Sequence, residues 1–266
     1  MATEFPILHP GDVHLWLVRA RTAPDTAFAG RCEALLSPTE RERAERFVAP
    51  KSRHQFISAR ACLRDLLSRY HPAVEATDWC FGASEHGKPF VEQPAQLTDL
   101  GFNVSHTDDL TTIVVARSGA LGVDVEADDR PANFLEIAER YFSPAEWSFL
   151  EAEPPAARAS AFYGLWTLKE AYLKARGEGL TVPLKSFSIS WSADHAEVGS
   201  VVLDMADSTL PDPRWQFWQF LVGSHIVAAA ASGARNAAPR SIHTWNMEPL
   251  GGISPASITL LRRSLV

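Results

Sequence analysis

The apolar and polar positions between residues 166 and 180 repeat with the period of a helix. Trp166, Glu170 and Lys174 are four residues apart, so a helix places all three on one face. Apolar side chains share this face, which predicts that it packs against a core, and Gly177 is expected to end the helix. A buried carboxylate is costly unless it is paired, hydrogen-bonded or bound to a metal. Glu170 is therefore the first residue for which we expect a function.

The rest of the pattern predicts a chain of mixed helices and strands. Runs or alternations of β-prone residues predict strands, and apolar residues three to four apart between capping residues predict helices. Strands are expected at residues 13–20, 111–117, 121–126, 187–191, 201–205, 215–221 and 225–231, and helices at residues 38–47, 52–70, 144 onwards and 156–176. We expect loops around Pro24, at residues 94–99 and at residues 102–106, and the tail from Ala234 shows no clear period.

The motif Ser-Pro-x-Glu occurs twice, beginning at Ser37 and at Ser143. Each copy predicts a capping box, in which serine is the N-cap, proline is the first helical residue and glutamate is the third. Such helix starts also recur by chance, but here each precedes a short and then a longer predicted helix, which favours two similar α+β halves. We divide the chain into an N-terminal half (residues 1–118), a C-terminal half (residues 119–233) and a tail (residues 234–266) without an assigned role.

Composition indicates a globular protein that does not span a membrane. With 266 residues and 46% hydrophobic content the chain can bury a sizeable core, and no apolar run approaches the ~20 residues of a spanning helix. The N-terminus lacks a signal-peptide pattern, so we expect a cytoplasmic protein. Three cysteines fit neither a disulfide framework nor a metal site. A net charge of −7 argues against nucleic-acid binding as the main function.

Residues 37–69 differ from the rest of the chain in charge. This segment contains eight lysines and arginines but only four acidic residues. A cationic face on an acidic protein suits an anionic ligand or partner. An exposed helix face with Glu–Arg pairs four residues apart explains the same pattern, so both interpretations stay open.

Two further carboxylates alternate with valines in the predicted strand at residues 121–126. Asp124 and Glu126 point to one face of a strand, about 7 Å apart, and repel each other unless a cation lies between them. A solvent-exposed strand face is the alternative. Together with Glu170 they make three carboxylates without a histidine or cysteine cluster, and such hard oxygen ligands favour Mg²⁺. Lys174 is then expected to neutralise phosphate oxygens that the metal does not reach.

Two polar segments upstream are weaker candidates on their own. Ser105 and His106 follow Asn103, and a hydroxyl and an imidazole can donate hydrogen bonds to a phosphate. Lys88 lies in a Gly-Lys-Pro turn and is a candidate phosphate contact. A lone histidine is more often structural, and exposed turn lysines are common. Neither segment alone therefore indicates a site.

Two long motifs give these residues a common context. Gly-Val-Asp-Val-Glu, followed about forty residues later by W-x-x-K-E-A-x-x-K-A-x-G-x-G-L, resembles the 4′-phosphopantetheinyl transferases, specifically the Sfp-type group and its W/KEA branch. The shorter motifs S-P-x-E, G-K-P and F-N-V-S-H precede them in the expected order. The resemblance extends over residues 37–180, and the combination of motifs makes it specific.

The resemblance implies two α+β halves related by a pseudo-twofold axis, with coenzyme A at their interface. It implies that Asp124, Glu126 and Glu170 bind Mg²⁺, with Mn²⁺ as an alternative, and that Lys174 engages the pyrophosphate of coenzyme A. These four residues form the expected catalytic set. The other implied contacts are Asn103, Ser105 and His106 for the phosphates, His106 and Arg43 for the ribose 3′-phosphate, and Lys88 and Pro89 for the adenine end.

The chain departs from the family pattern at two cationic positions. Some relatives have a basic residue a few positions before G-K-P, where this chain has only Gly82-Ala83-Ser84-Glu85-His86. Some relatives have a basic residue where this chain has Glu40, so Arg43 needs help from elsewhere at the 3′-phosphate. Arg53 is the candidate that the sequence offers.

The implied reaction moves the 4′-phosphopantetheine arm of coenzyme A to a serine of an apo carrier protein and releases adenosine 3′,5′-bisphosphate. The carrier is of the acyl, polyketide or peptidyl type, and we expect a monomeric enzyme that contacts it around residues 177–184. Either Glu170 or a metal-bound water next to Glu126 is the expected base. Two alternatives stay open: a different Mg²⁺-dependent phosphoryl or nucleotidyl transferase, and a non-catalytic carrier-binding protein of the same fold.

Overall fold

The computed structural model describes residues 4–19, 26–97, 99–127, 133–192, 198–205, 214–234 and 238–264. Its helices are α1 (Thr26–Leu35), α2 (Pro38–Glu45), α3 (Pro50–Tyr70), α4 (Phe134–Tyr141), α5 (Pro144–Ala152) and α6 (Arg158–Arg176). Its strands are β1 (Asp12–Arg19), β2 (Cys80–Ala83), β3 (Pro89–Gln93), β4 (Leu100–His106), β5 (Leu110–Arg117), β6 (Leu121–Ala127), β7 (Phe187–Ser192), β8 (Gly199–Met205), β9 (Arg214–Val222), β10 (His225–Gly233), β11 (Ser241–Met247), β12 (Ile253–Pro255) and β13 (Thr259–Ser264). Within these ranges, no helix combines the length and the apolar character that crossing a membrane requires.

The strands form two main sheets and a hairpin. The first sheet has the order β12-β11-β1-β5-β4, the second has the order β6-β10-β9-β13-β8-β7, and β2 pairs with β3. Most neighbouring strands are antiparallel, but β11 runs parallel to β1 and β13 runs parallel to β8. Because helices pack on both sheets, the predicted α+β class is confirmed.

The described residues form four buried apolar clusters, of which one lies among α1, α2 and α3 and the other three pack on the sheets. Helix α3 covers the first sheet, where Leu63 and Trp16 belong to one buried cluster. Helix α6 covers the second sheet and packs on β6 and β10. Between the sheets lies a third cluster, which includes Leu15 of β1 and Val123 of β6. Neighbouring residues of β1 thus face different cores, which explains why the strand is buried continuously from Val13 to Val18.

The two predicted capping boxes are present at the starts of α2 and α5. In each box the serine hydroxyl accepts the N–H of the third helical residue, and the glutamate at that position accepts the N–H of the serine. Each glutamate also pairs with a buried cation on the longer helix that follows, Glu40 with Arg64 and Glu146 with Lys169. The repeat therefore extends from a local helix signal into the packing of each half.

Helix α1 was not predicted, because the segment around Pro24 was expected to be a loop. The helix has no acidic residue in its first turn and no basic residue in its last, and its buried residues are Phe28 and Cys32. Its local helical signal is therefore weak, and packing against α3 supports it instead.

Residues 102–106 form the end of strand β4, so the expectation of a loop there was wrong. Leu100 and Phe102 belong to the core beneath α3, whereas Asn103 and Ser105 are buried towards β6. Successive side chains of β4 thus face opposite sides of the strand. One side carries polar residues that hydrogen-bond to β6, and because polar residues are typical of loops, the sequence was interpreted as a loop.

The tail is structured although its sequence shows no clear period. Strand β11 extends the first sheet beside β1, and β13 lies inside the second sheet between β9 and β8. Arg262 of β13 stacks over the ring of Trp191, 4.0 Å from its centroid. A strand that contains arginines and pairs with sequence-distant neighbours has little local signal. Residues after 234 thus complete both sheets, while the boundaries of the two halves stay predictions.

Candidate active site

The edge strands β4 and β6 of the two sheets lie side by side at the predicted site. The side-chain oxygen Oδ1 of Asn103 accepts a hydrogen bond from the backbone N–H of Val123 at 3.0 Å. The hydroxyl of Ser105 donates to Oδ1 of Asp124, also at 3.0 Å. All four residues are buried. Side chains of β4 therefore connect the two halves directly at Asp124. Asn103, which the resemblance implies as a phosphate contact, takes part in this connection through its amide oxygen.

Helix α6 crosses β6 at a short distance because residue 122 is glycine. A Cβ atom at Gly122 would overlap the carbonyl oxygen of Ala171 and lie 2.5 Å from the amide nitrogen of Ala175. Only a residue without a side chain permits this approach. The glycine of Gly-Val-Asp-Val-Glu thus has a packing function, which brings Glu170 and Lys174 of α6 beside β6.

Lys174 is hydrogen-bonded to both partners at the strand joint. Its Nζ atom donates to Oδ1 of Asp124 at 2.6 Å and to Oγ of Ser105 at 2.9 Å. The other carboxylate oxygen of Asp124, Oδ2, is buried and has no hydrogen-bond partner among the described residues. A buried acceptor without a donor is costly. Asp124 therefore has an oxygen available for a further positively charged group.

Glu170 is half-buried beside this joint. Burial raises the pKa of its carboxyl group, as do the negative charges of Asp124 and Glu126, whereas Lys174 lowers it. The structure thus brings together the three carboxylates and the lysine that the sequence singled out. No three acidic, histidine or cysteine side chains in the described ranges form a ready-made metal centre. The cation that contacts Asp124 in this arrangement is the ammonium of Lys174.

His106 ends β4 on the exposed side of the same site. Partial burial of the ring and the positive charge of Lys174 both lower its pKa. The imidazole therefore lies within the electrostatic influence of Lys174. Of the residues predicted to contact coenzyme A phosphates, Ser105, His106 and Lys174 are brought to one place.

Arg43 belongs to a second cationic cluster, formed by α2 and α3. Its Cζ atom is 5.1 Å from the ring centroid of Phe56, and Arg60 approaches the same ring at 5.8 Å. Arg53, the expected second cation, instead pairs with Glu33 at 3.0 Å. The sequence analysis missed Arg60, for which the available signal is its spacing four residues after Phe56 on one helix face. Arg60 therefore accompanies Arg43, and Arg53 belongs to a different contact.

Glu40 has a structural role that explains its presence at a position where some relatives have a cation. Its carboxylate accepts the N–H of Ser37 at 3.0 Å and pairs with the buried Arg64 at 2.8 Å. It also lies 3.7 Å from Arg60. The carboxylate fastens α2 to α3 and holds Arg60 near the surface cavity beside Arg43. That cavity measures about 540 Å³ and is lined by Thr39, Glu42, Arg43, Arg46 and Phe47.

Lys88, in the turn between β2 and β3, has its ammonium group bound to the backbone. Nζ donates to the carbonyl oxygen of Leu121 at 3.0 Å and to that of Ala175 at 2.7 Å. Burial lowers the pKa of Lys88 to about 8. Lys88 and Pro89 both line a cavity of about 460 Å³. The predicted adenine segment is thus next to a cavity, but the lysine side chain is directed to the joint between β6 and α6.

Lys169, the lysine of the K-E-A motif, is buried and had no role in the sequence analysis. Its Nζ atom donates to both carboxylate oxygens of Glu146, at 2.7 and 2.8 Å, and to the carbonyl oxygen of Phe187 at 2.8 Å. It ties α6 to α5 and β7 one residue before Glu170. In the sequence, the partner of Lys169 was already visible as Glu146, the glutamate of the second capping box.

The segment predicted to contact a carrier begins at Gly177. This residue has a φ of +74°, the left-handed conformation with which glycine ends helices. A cavity of about 610 Å³ lies beside the segment, and its lining combines the apolar side chains of Trp166 and Leu184 with the cations Arg140 and Lys185.

Comparison with known proteins identifies the family. The model of the 4′-phosphopantetheinyl transferase superfamily matches residues 120–230, and the N-terminal model of 4′-phosphopantetheinyl transferases matches residues 24–118. The chain belongs to the 4′-phosphopantetheinyl transferase superfamily. It is 34% identical over 181 residues to the 4′-phosphopantetheinyl transferase Sfp of Bacillus subtilis (strain 168), which covers 68% of this chain and 76% of that protein. It is 30% identical to the 4′-phosphopantetheinyl transferase HetI of a Nostoc species, over 87% of this chain and 92% of that protein.

These similarities confirm two predictions made from the motifs. The chain is a phosphopantetheinyl transferase of the Sfp type, and it is therefore an enzyme. An unrelated phosphoryl or nucleotidyl transferase and a non-catalytic carrier-binding protein are set aside. The roles of the individual residues are not tested by the similarities and stay proposals.

Proposed function

We propose that the protein transfers the 4′-phosphopantetheine arm of coenzyme A to a serine of an acyl, polyketide or peptidyl carrier protein, with Mg²⁺ as cofactor. Adenosine 3′,5′-bisphosphate is the second product. The observation that supports this most strongly is the meeting of Asp124, Glu170 and Lys174 where β6 and α6 cross. The site combines acidic oxygens for a cation with a lysine for an anion, as a magnesium-bound pyrophosphate requires.

The residues fit a divalent metal with hard oxygen ligands. Asp124, Glu126 and Glu170 would hold it, and the buried Oδ2 of Asp124 lacks a partner among the described residues. Carboxylates favour Mg²⁺, with Mn²⁺ as the alternative. When bound, the metal would supply positive charge that offsets the negative charge developing on the leaving group.

Lys174 would engage the pyrophosphate. Its side chain is 30% exposed, whereas that of its partner Asp124 is 6% exposed, so the ammonium lies at the rim of the site. The ammonium, with the hydroxyl of Ser105 beside it, would donate to phosphate oxygens.

Glu170 is one candidate for the base, because its half-buried carboxylate lies beside Asp124 and Lys174 where β6 and α6 cross. The carrier serine loses its hydroxyl proton to Glu170 as its oxygen bonds to the β-phosphorus. The bond from that phosphorus to the bridging oxygen breaks, and the bridging oxygen leaves with adenosine 3′,5′-bisphosphate. A water next to Glu126 is the alternative acceptor.

The nucleotide end of coenzyme A is assigned to three basic residues of the N-terminal half. Arg43 and His106 would bind the ribose 3′-phosphate, and we add Arg60, which shares the ring of Phe56 with Arg43. The adenine end is assigned to the backbone around Pro89, which lines its own cavity.

The carrier is assigned to the segment at residues 177–184 and to the adjoining cavity. The apolar lining suits the apolar surface of a partner, and the cations Arg140 and Lys185 suit an acidic one. We expect a monomer in the cytoplasm that serves fatty acid, polyketide or nonribosomal peptide biosynthesis.

The proposal is tested by incubating the protein with coenzyme A, Mg²⁺ and purified apo carriers of the acyl, polyketide and peptidyl types. Mass spectrometry should detect one phosphopantetheine adduct on the serine of at least one carrier. Chelation with EDTA should abolish the adduct, and added Mg²⁺ or Mn²⁺ should restore it. If no carrier is modified, or if modification is unchanged in EDTA, the proposed reaction or its metal requirement is wrong.

A further inference from the structure

Lys88 connects the two elements that provide the carboxylates. Its ammonium donates to the carbonyl oxygen of Leu121, the first residue of β6, and to that of Ala175, in the last turn of α6. The carbonyl of Ala175 is among the last four of the helix, which have no donor within the helix. The carbonyl of Leu121 lies on the free edge of β6, the edge at which the N–H of Val123 is bonded by Asn103. Lys88 therefore supplies donors to two carbonyls that their own elements leave unbonded.

Two glycines lie at this contact between β6 and α6, close to the side chain of Lys88. Gly122 lets the backbone of α6 approach β6, as described above. Gly177 ends α6, and a Cβ atom there would lie 3.0 Å from Cδ of Lys88. The aliphatic stem of Lys88 thus packs against the end of α6 while its ammonium caps that end. A positive group is also favoured there by the helix dipole.

Two of the three N–H donors of the Lys88 ammonium are bonded to these carbonyls, so movement towards a phosphate would break hydrogen bonds that the structure shows. That movement would leave two buried acceptors without donors, which costs their full desolvation. Lys174 differs in this respect, because its side chain is 30% exposed at the rim of the site. Of the two lysines, Lys174 is therefore suited to an anion that arrives from solvent, and Lys88 is suited to a fixed contact.

We propose that Lys88 is a positioning residue, whose ammonium holds the end of α6 against the start of β6 and so fixes the separation of Asp124 from Glu170 and Lys174. In this role it does not contact a phosphate of coenzyme A. The inference rests on the proposed function, because it assumes that the carboxylates at this joint bind the metal and promote transfer.

The test compares three variants with the wild type. Lys88→Met keeps the aliphatic stem and removes the donors. Arg43→Met removes a proposed phosphate contact. Lys51→Met removes an exposed lysine that pairs with Asp108 and serves as the matched control. Each protein is studied by calorimetry with adenosine 3′,5′-bisphosphate, by Mn²⁺ binding followed with electron paramagnetic resonance, and by transfer kinetics below its melting temperature.

For Lys88→Met we expect bisphosphate affinity within about twofold of the wild type, weaker Mn²⁺ binding, and a kcat lowered about tenfold or more, because small displacements of catalytic groups cost that much. For Arg43→Met we expect the reverse, with weaker bisphosphate binding and unchanged Mn²⁺ binding. Lys51→Met should match the wild type. If Lys88→Met weakens bisphosphate binding as Arg43→Met does, or leaves both Mn²⁺ affinity and kcat unchanged, the inference is overturned.

A second variant changes the separation of β6 and α6 without changing Lys88. Gly122→Ala would push β6 and α6 apart while leaving Lys88 in place, and we expect the same combination of intact bisphosphate binding, weaker Mn²⁺ binding and lower kcat. Retained Mn²⁺ affinity and kcat in Gly122→Ala contradict the inference even if Lys88→Met does not fold. Failure of the wild type to bind Mn²⁺ or to modify any carrier contradicts the proposed function instead, so the two failures are distinguishable.

Discussion

Asp124 uses its two carboxylate oxygens differently. Oδ1 accepts hydrogen bonds from Ser105 and Lys174, while Oδ2 is buried without a partner in the described part of the chain. The same side chain thus pairs with a lysine and keeps a second, buried acceptor. In the proposed function this acceptor is available to a metal, so Asp124 would contact both the metal and the lysine that engages the pyrophosphate.

At the residue scale, His14 should make the fold sensitive to acid. Burial, followed by the charge of His243, lowers its pKa from 6.5 to about 4. The ring is hydrogen-bonded to the hydroxyl of Tyr70 at 2.7 Å, and that hydroxyl accepts the indole N–H of Trp16 at 2.8 Å. The hydroxyl hydrogen is therefore free to point at an unprotonated ring nitrogen, which explains why the neutral imidazole is favoured.

Because the pKa of His14 is lower in the folded chain than in the unfolded chain, the protein should become less stable as the pH falls. Above pH 6.5 His14 is neutral in both folded and unfolded chains and does not change the free energy of unfolding. As the pH falls from 6.5 to about 4, the unfolded chain takes up a proton that the folded chain does not, so stability is lost. We expect a loss of about 2 to 3 kcal/mol from this group at pH 4.5. Urea unfolding at pH 7 and 4.5 measures it, and His14→Gln should reduce the dependence. An identical pH dependence in the variant would exclude His14 as the cause.

At the element scale, the faces of helix α6 make three different kinds of contact. Ala171 and Ala175 contact the backbone of β6, Lys169 is bonded to Glu146, and Lys174 is directed to Asp124. The W-x-x-K-E-A-x-x-K motif therefore places packing residues, an anchoring lysine and the residues of the proposed site on one helix. Its local pattern predicts the helix itself and the positions of Glu170 and Lys174, because those depend only on the helical period.

Removing the buried charge of Lys169 should destabilise the protein strongly. In Lys169→Met the carboxylate of Glu146 stays buried without its cation, and the loss of such a partner typically costs about 3 to 5 kcal/mol. Chemical denaturation measures the change in the free energy of unfolding. The exposed Lys185 offers the control, because Lys185→Met should change that free energy by less than about 0.5 kcal/mol. A Lys169→Met protein as stable as this control would contradict the structural role.

Elements with strong local signals were predicted, and those that depend on distant partners were not. Both Ser-Pro-x-Glu boxes and the long helices after them follow from capping chemistry, and the alternation at Phe187 follows from strand geometry. Strand β4 was mistaken for a loop because Asn103 and Ser105 are polar, yet they are buried against β6. Likewise Arg60 became a candidate only when the structure showed Arg53 paired with Glu33. Such partnerships are properties of the tertiary structure and leave no period in the sequence.

At the scale of the whole molecule, the tail connects the two halves. Strand β11 pairs with β1 in the first sheet, and β13 pairs with both β9 and β8 in the second. The chain after residue 234 therefore contributes to both sheets that hold the site. Its contribution could not be predicted, because neither strand has a clear hydrophobic period and each depends on partners far away in the sequence.

Shortening the chain after Met247 should disrupt the second sheet. The variant keeps β11 but loses β12 and β13. In the second sheet, β9 and β8 lose their shared neighbour and Trp191 loses the guanidinium of Arg262. We expect loss of the cooperative thermal transition, measured by circular dichroism against the full-length chain. A shortened protein that melts within about 3 °C of the full-length one would show that β13 is dispensable.

The central claim is that Glu170 acts with Asp124 at a metal-dependent transfer site, and replacement of its charge tests this most directly. Glu170→Gln preserves the shape of the side chain, and Glu151→Gln on the exposed face of α5 serves as the control. The measurement is the rate of phosphopantetheine transfer to an apo carrier at saturating Mg²⁺, followed by mass spectrometry. We predict a loss of at least about 100-fold for Glu170→Gln, with adenosine 3′,5′-bisphosphate affinity and the control unchanged. Near-normal turnover in Glu170→Gln would contradict the account.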